Sequence, residues 1–263
     1  MTHRSPIFEI SDVYIDQEAA LSPMGCTYLG NGLNQDKLDD FSIAASEVSA
    51  NLTRETLKKL SAMQPIDEID RIAKAVMTER LESGLALHDS KEGFVLWNVL
   101  TSPPSDVRSI FELMPKNTAQ DFDNIAKRLA SVDAAYSSWC ETIMTVAKTG
   151  KTTAQRQVKG VIEQLDSYAN GGYSAMCKNF DGAGKYPAMH DAAKLAEAAS
   201  AKTAKFLRRS ICQLPIQMTQ LVPTATRYGH ATSLVRNLIF QQPMNGARKN
   251  SRQLTIACGS WQR

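Results

Sequence analysis

Apolar residues fall on a helical period through most of the first two hundred positions. Phe122, Ile125, Leu129, Val132, Tyr136, Trp139, Ile143 and Val146 step alternately by three and four residues. That spacing keeps one face apolar along a long helix, or along two nearly collinear ones. Thr118, followed three residues later by Asp121, predicts the start, with Asp in place of the more usual Glu of a capping box. Gly150 predicts the stop. Ala154, Val158, Val161, Leu165 and Tyr168 repeat the pattern, and Asn170-Gly171-Gly172 closes it. Upstream, Val48, Leu52, Thr56, Leu60 and Met63 share one helical face. Pro65 is expected to open the next helix, with Ile69, Ala73, Val76 and Leu85 inward. An alanine-rich helix is expected from about His190 to Arg209.

Two stretches break the period. Met24 to Phe41 carries Gly25, Gly30 and Gly32 among Asn and Asp, and reads as a structured loop. Phe94 to Trp97 reads as a short strand or a buried extended segment, closed by Pro103-Pro104. There is no alternation of strand and helix patterns and no repeat of solenoid length. The expected fold is therefore all-α, an antiparallel helical assembly with short connections, ending in an irregular or poorly ordered C-terminal tail.

Charge divides the chain in a way that hydropathy does not. The 263 residues carry a net charge of +3, but the last acidic residue is Glu197. Beyond residue 200 there are ten Lys/Arg and no Asp or Glu, against 20 basic and 27 acidic residues before it. Two regions are expected: residues 1–210, helical, and residues 211–263, a basic tail. The tail's basic residues are scattered, so a nucleic-acid-binding role is only the second alternative. The tail reads first as sequence not selected to fold with the rest, such as a segment translated in a shifted frame. The longest unbroken apolar run, Phe94 to Trp97, is far too short to cross a membrane. Met1 to Asp12 has no apolar leader core, and the five cysteines are sparse and odd in number, so a cytoplasmic location is expected.

Candidate chemistry is thin. His3, His88, His190 and His230 form no i, i+4 pair, and Cys26, Cys140, Cys177, Cys212 and Cys258 form no C-x-x-C, so neither common zinc pattern is present. Cys177 and His190 are weighed as a thiolate–imidazole pair and read as unrelated. Thr149-Gly150-Lys151-Thr152, Asp181-Gly182-Ala183-Gly184-Lys185 and Gly30-Asn31-Gly32 each lack part of a phosphate- or dinucleotide-binding loop and read as turns. Asp39-Asp40 and Glu79/Glu82 are carboxylate pairs that read as caps or solvated faces. No catalytic, cofactor-binding or metal-binding residue is assigned.

The order of segments is more specific than any one motif. Ser22-Pro23 through Thr27-Tyr28-Leu29-Gly30, then Leu38-Asp39-Asp40-Phe41-Ser42, Asp70-Arg71, Glu79-Arg80-Leu81, Trp97-Asn98 with Ser102-Pro103, Ile110-Phe111 with Met114-Pro115, Asn124 with Arg128-Leu129, and Arg156-Gln157-Val158 together resemble the N-terminal half of the bacterial domain-of-unknown-function family number 885, a family of zinc-dependent carboxypeptidase-like hydrolases. The resemblance covers roughly residues 8–210. It implies a metal site in a second half, on a helix bearing His and Glu around Pro-Gly-His, with a further Glu downstream. Pro215, Pro223 and Pro243 are not followed by Gly-His. The resemblance therefore implies a truncated hydrolase-like protein, inactive alone, with no cofactor in this chain and zinc only in full-length members. Its missing C-terminal half would be the natural packing partner. The first alternative is a helical protein-interaction module.

Overall fold

A computed structural model describes residues 5–212, which hold ten α-helices and no strand. The chain opens with α1 (Pro6–Leu21), α2 (Pro23–Leu29), α3 (Ile43–Ala62) and α4 (Glu68–Asp89). α5 (Pro103–Leu113), α6 (Ala119–Ala130) and α7 (Val132–Ala147) follow, then α8 (Gln155–Ser167), α9 (Tyr173–Phe180) and α10 (Pro187–Phe206). The all-α class expected from periodicity is what forms. The expected irregular or poorly ordered tail lies, from residue 213 on, outside the described residues.

The helices begin where short polar side chains can accept the orphan first-turn N–H groups. Ser5, Ser22, Ser42, Asp67, Ser102 and Thr118 each do so. At Thr118 both halves of the capping box form. Its hydroxyl accepts from the Asp121 N–H at 3.2 Å, and the Asp121 carboxylate accepts from the Thr118 N–H at 2.9 Å. Proline follows the cap in α1, α2 and α5, where its missing N–H costs nothing.

That placement corrects two expectations. Pro103-Pro104 does not close a segment; it opens α5 behind the Ser102 cap. Pro65 does not open α4, which starts at Glu68 behind Asp67. The expected loop from Met24 begins instead as α2, ended by Gly30 at φ 70°. Phe94 to Trp97 forms no strand: Glu92–Phe94 is a 3-10 turn, and an irregular segment follows with Trp97 buried.

The main core lies around α10, which packs on α6, α7, α8 and α9. Its inner face is Ala192, Ala193, Ala196, Ala199 and Ala204, small side chains that let neighbouring backbones approach closely. All eight positions of the stripe from Phe122 to Val146 are buried. The stripe is carried by two helices, α6 and α7, joined at Ser131. At the end of α8, Asn170 and Gly171 leave helical geometry, Gly171 at φ 95°, before α9. A second, smaller core joins α1, α3 and α4 through Ile7, Leu60 and Leu81.

In this second core the expected faces form only in part: Thr56 and Leu60 are buried, and Met63 and Ala73 pack against the cluster. Val48, Ile69 and Val76 are exposed, and the helices turn Ala50, Thr53, Thr56 and Leu60 (α3) and Asp70 and Leu81 (α4) inward. Among the described residues no helix is long and apolar enough to cross a membrane.

Candidate functional site

Among the described residues lies a cleft of about 520 Å3. Its walls are the end of α1, the loop before α3, the segment before α5, the first turn of α5, and α7. Aromatic side chains supply much of the wall: Phe41, Phe94, Trp97 and Trp139. The two indoles meet edge to face, their centroids 5.2 Å apart. Such mixed walls, mostly apolar with a few placed polar groups, are what small-molecule sites present.

The loop from residue 30 to 42 is set by a buried arginine. Arg128, on α6, is fully enclosed. Its guanidinium donates to the carbonyls of Lys37 (2.7 Å), Asn34 (3.1 Å) and Pro23 (3.3 Å) and to the Thr27 hydroxyl (3.0 Å). A planar fork of five donors suits that task, which a point-like ammonium would not fill. Burial lowers the Arg128 pKa to about 10, against the favourable charges of Asp39 and Asp36. From the other side, the Phe41 N–H donates to Ser138 (3.1 Å) and the Phe41 carbonyl accepts from Thr142 (2.8 Å), tying the loop to α7.

So fixed, the loop presents Asp39. Its carboxylate accepts from the Met24 N–H and the Ser22 hydroxyl, each at 2.8 Å. Burial pushes the Asp39 pKa up, and these two hydrogen bonds and Arg128 pull it partly back. Asp106, in the first turns of α5, lines the same cleft. Burial, and then the charge of Asp39, raise its pKa to about 6. Two carboxyls sharing a site, one holding its proton more tightly than the other, form the usual pair for passing a proton near neutral pH.

Two further groups in the cleft wall have no protein partner. Glu18 accepts from the Ser49 hydroxyl through Oε1 (2.7 Å), but its buried Oε2 accepts from nothing; the buried Trp97 indole N–H likewise donates to nothing. Both atoms are enclosed within the wall. Asp40, also in the cleft wall, accepts from the Ser42 N–H at 2.9 Å and from its hydroxyl at 3.0 Å.

The structure brings few of the other candidates together. Glu79 pairs with Arg80 on α4, away from the cleft lining. Cys177 is fully buried, its thiol pushed up to about 12 by burial, and its sulfur lies 4.0 Å from the Met189 carbonyl. It is no thiolate nucleophile. His190 instead lies 3.4 Å from the Asp181 carboxylate. The three glycine stretches are turns, as read. Lys151 binds the Ser90 carbonyl at 2.6 Å, Gly184 (φ 66°) turns the chain into α10, and Gly30 caps α2.

Residues Glu18, Trp97 and Asp106 were not singled out as chemical groups by the sequence, although Trp97 and Ser102-Pro103 belong to the segments that carry the resemblance. The zinc implied by that resemblance does not fit the described residues, where no three of His, Cys, Asp or Glu converge. Each Asp39 oxygen already accepts one hydrogen bond.

The sequence profile of a family described as "Bacterial protein of unknown function (DUF885)" matches residues 23–231. No curated protein matches the chain.

Proposed function

The chain belongs to the bacterial DUF885 family, and from that premise we propose that it is the substrate-holding wall of a metal-dependent, peptidase-like hydrolase. The cleft receives a peptide, and the metal chemistry comes from residues outside those described. The observation that carries this reading is the carboxyl pair, Asp39 with Asp106 raised to about 6, set between aromatic walls. A free ammonium placed there would satisfy the carboxylates. An ammonium near aromatic faces also gains from their quadrupoles.

The profile match continues to residue 231, past the last acidic residue at 197. In this reading family-like sequence extends into the basic region, and any shift of frame falls after residue 231. Reading the gene in all three frames beyond codon 263 tests where the metal ligands are encoded. A His-Glu pair near Pro-Gly-His supports the proposal, and its absence from every frame removes the metal half.

Calorimetric titration of the full chain with a short free-amino peptide tests the cleft. Binding should weaken about tenfold or more in Asp39→Asn and vanish for the N-acetylated peptide. Equal binding of both peptides would refute the assignment.

A further inference from the structure

A second constellation lies beside the cleft, on α3 and α4. The Ser46 hydroxyl is 3.0 Å from His88 Nδ1, and His88 Nε2 is 2.8 Å from Glu47 Oε2. We infer that Ser46, His88 and Glu47 form a nucleophilic triad that cleaves esters of small acyl groups, an activity separate from the cleft's carboxyl pair.

Each partner is held in the state the chemistry needs. Glu47 is drawn below the usual carboxylate range by its bond to His88 and then by Arg54, so it is an anion and an acceptor. His88 must then carry its proton on Nε2 to donate to Glu47, which leaves the Nδ1 lone pair to accept from Ser46. That is the arrangement of a nucleophile, its base and the group that orients the base. The usual roles of the two ring nitrogens are exchanged, which the geometric criterion permits.

The surroundings fix the imidazole. Arg54 grips Glu47 at 2.6 Å and Asp89 at 2.7 Å, bracing the anion from the far side. Phe94 lies edge-on to the His88 ring, its centroid 5.9 Å away. Ser46 is the fourth residue of α3, and its own N–H is bound to the Ser42 carbonyl.

The substrate class follows from the space around Ser46. On one side is a pocket of about 250 Å3, lined by Leu81 and Leu85 and by the polar Thr53 and Arg80, together with Ser46 and His88. It suits a short acyl chain and is too small for a long one. On the other side Ser46 borders the 520 Å3 cleft, which takes the alcohol. The Ser46 oxygen attacks the acyl carbonyl carbon and its proton passes to His88 Nδ1. The ester C–O bond then breaks, and the leaving alcohol takes that proton. Water repeats the sequence, releasing the carboxylic acid and restoring Ser46.

A fluorophosphonate ester tests this on the full chain. Phosphonylation forms the Oγ–P bond and expels fluoride, and peptide mass mapping locates the adduct. The adduct is expected on Ser46 and not on Ser49, which lines the same two cavities. His88→Asn keeps an acceptor where Nδ1 stood but cannot take the proton, so labelling should fall at least about a hundredfold with the melting temperature nearly unchanged. An unlabelled Ser46 in the folded wild-type chain, or undiminished labelling in His88→Asn, would mean that the bond only pins α3 to α4 and would overturn the inference.

Discussion

At the scale of single residues, Asp106 carries a cost that pH exposes. A carboxyl that holds its proton more tightly folded than unfolded costs nothing below its unfolded value of 3.8. Between there and about 6 the cost grows, and above about 6 it is constant. Asp106→Asn should therefore raise stability at neutral pH by about 1–2 kcal/mol, after discounting for partial exposure. The gain should fade toward pH 4. Urea denaturation of both proteins across that range measures it. A gain that persists at low pH would place the cause elsewhere than in the carboxylate charge. The same site shows why a residue-by-residue reading of the sequence stopped short. Asp39-Asp40 is visible as a pair, yet the carboxyl whose charge Asp39 perturbs across the cleft is Asp106, on α5. Ser46 and Glu47 are neighbours in sequence, but the histidine between them in space is 41 positions from Glu47. Spacing records what one helix face can align and is silent about which helices meet.

Elements obey the same limit in a different form. The stripe on α6 and α7 was legible in full because that pair is enclosed by α10 and the surrounding helices, so its apolar side has only one place to go. On α4 the sequence offers two apolar sides. Ile69, Ile72 and Val76 make the stronger one by residue size, yet all three are exposed, Ile69 by 61%. What lies inward is Leu81 with Asp70, whose carboxylate accepts the Ile66 N–H at 3.2 Å before the helix begins. Contact with α1 and α3, not hydrophobicity, chose the face. Two substitutions separate the cases. Trp139→Ala should cost about 3–5 kcal/mol, because it empties core volume and removes the edge-to-face partner of Trp97. Ile72→Ser should change stability by no more than about 0.5 kcal/mol. Chemical denaturation reads both, and a large loss for Ile72→Ser would show that this face is covered in solution.

Across the described residues as a whole, the two cores are unequal. The core around α10 gathers residues from α2 and from α5 through α10, whereas the cluster shared by α1, α3 and α4 is built on three buried apolar side chains. Opening free energies track such packing, so the two sets should differ as cooperative units. Hydrogen exchange followed by mass spectrometry should find the amides of α10 and α7 protected longest and those of α1 and α4 exchanging through a lower-energy opening. Equal protection across both sets would mean that the smaller core is not a separate unit. The Ser46–His88 pair sits in the less protected set and the carboxyl pair at its border with the larger core, so the two sites need not lose structure together.

The enclosed Arg128 has a consequence for the order of events during synthesis. Its four hydrogen bonds reach back 91 to 105 positions along the chain. Those from Phe41 to α7 span 97 and 101. Closing contacts that far apart is slow in chain-entropy terms and cannot begin until both ends exist. A nascent chain that has emerged only as far as α5 can hold α1, α3 and α4 together, but residues 30 to 42 then have only their local bonds to α2 and lack those to Arg128, Ser138 and Thr142. The acidic cleft is therefore born late, when α6 and α7 leave the ribosome, and until then its carboxylates remain in water.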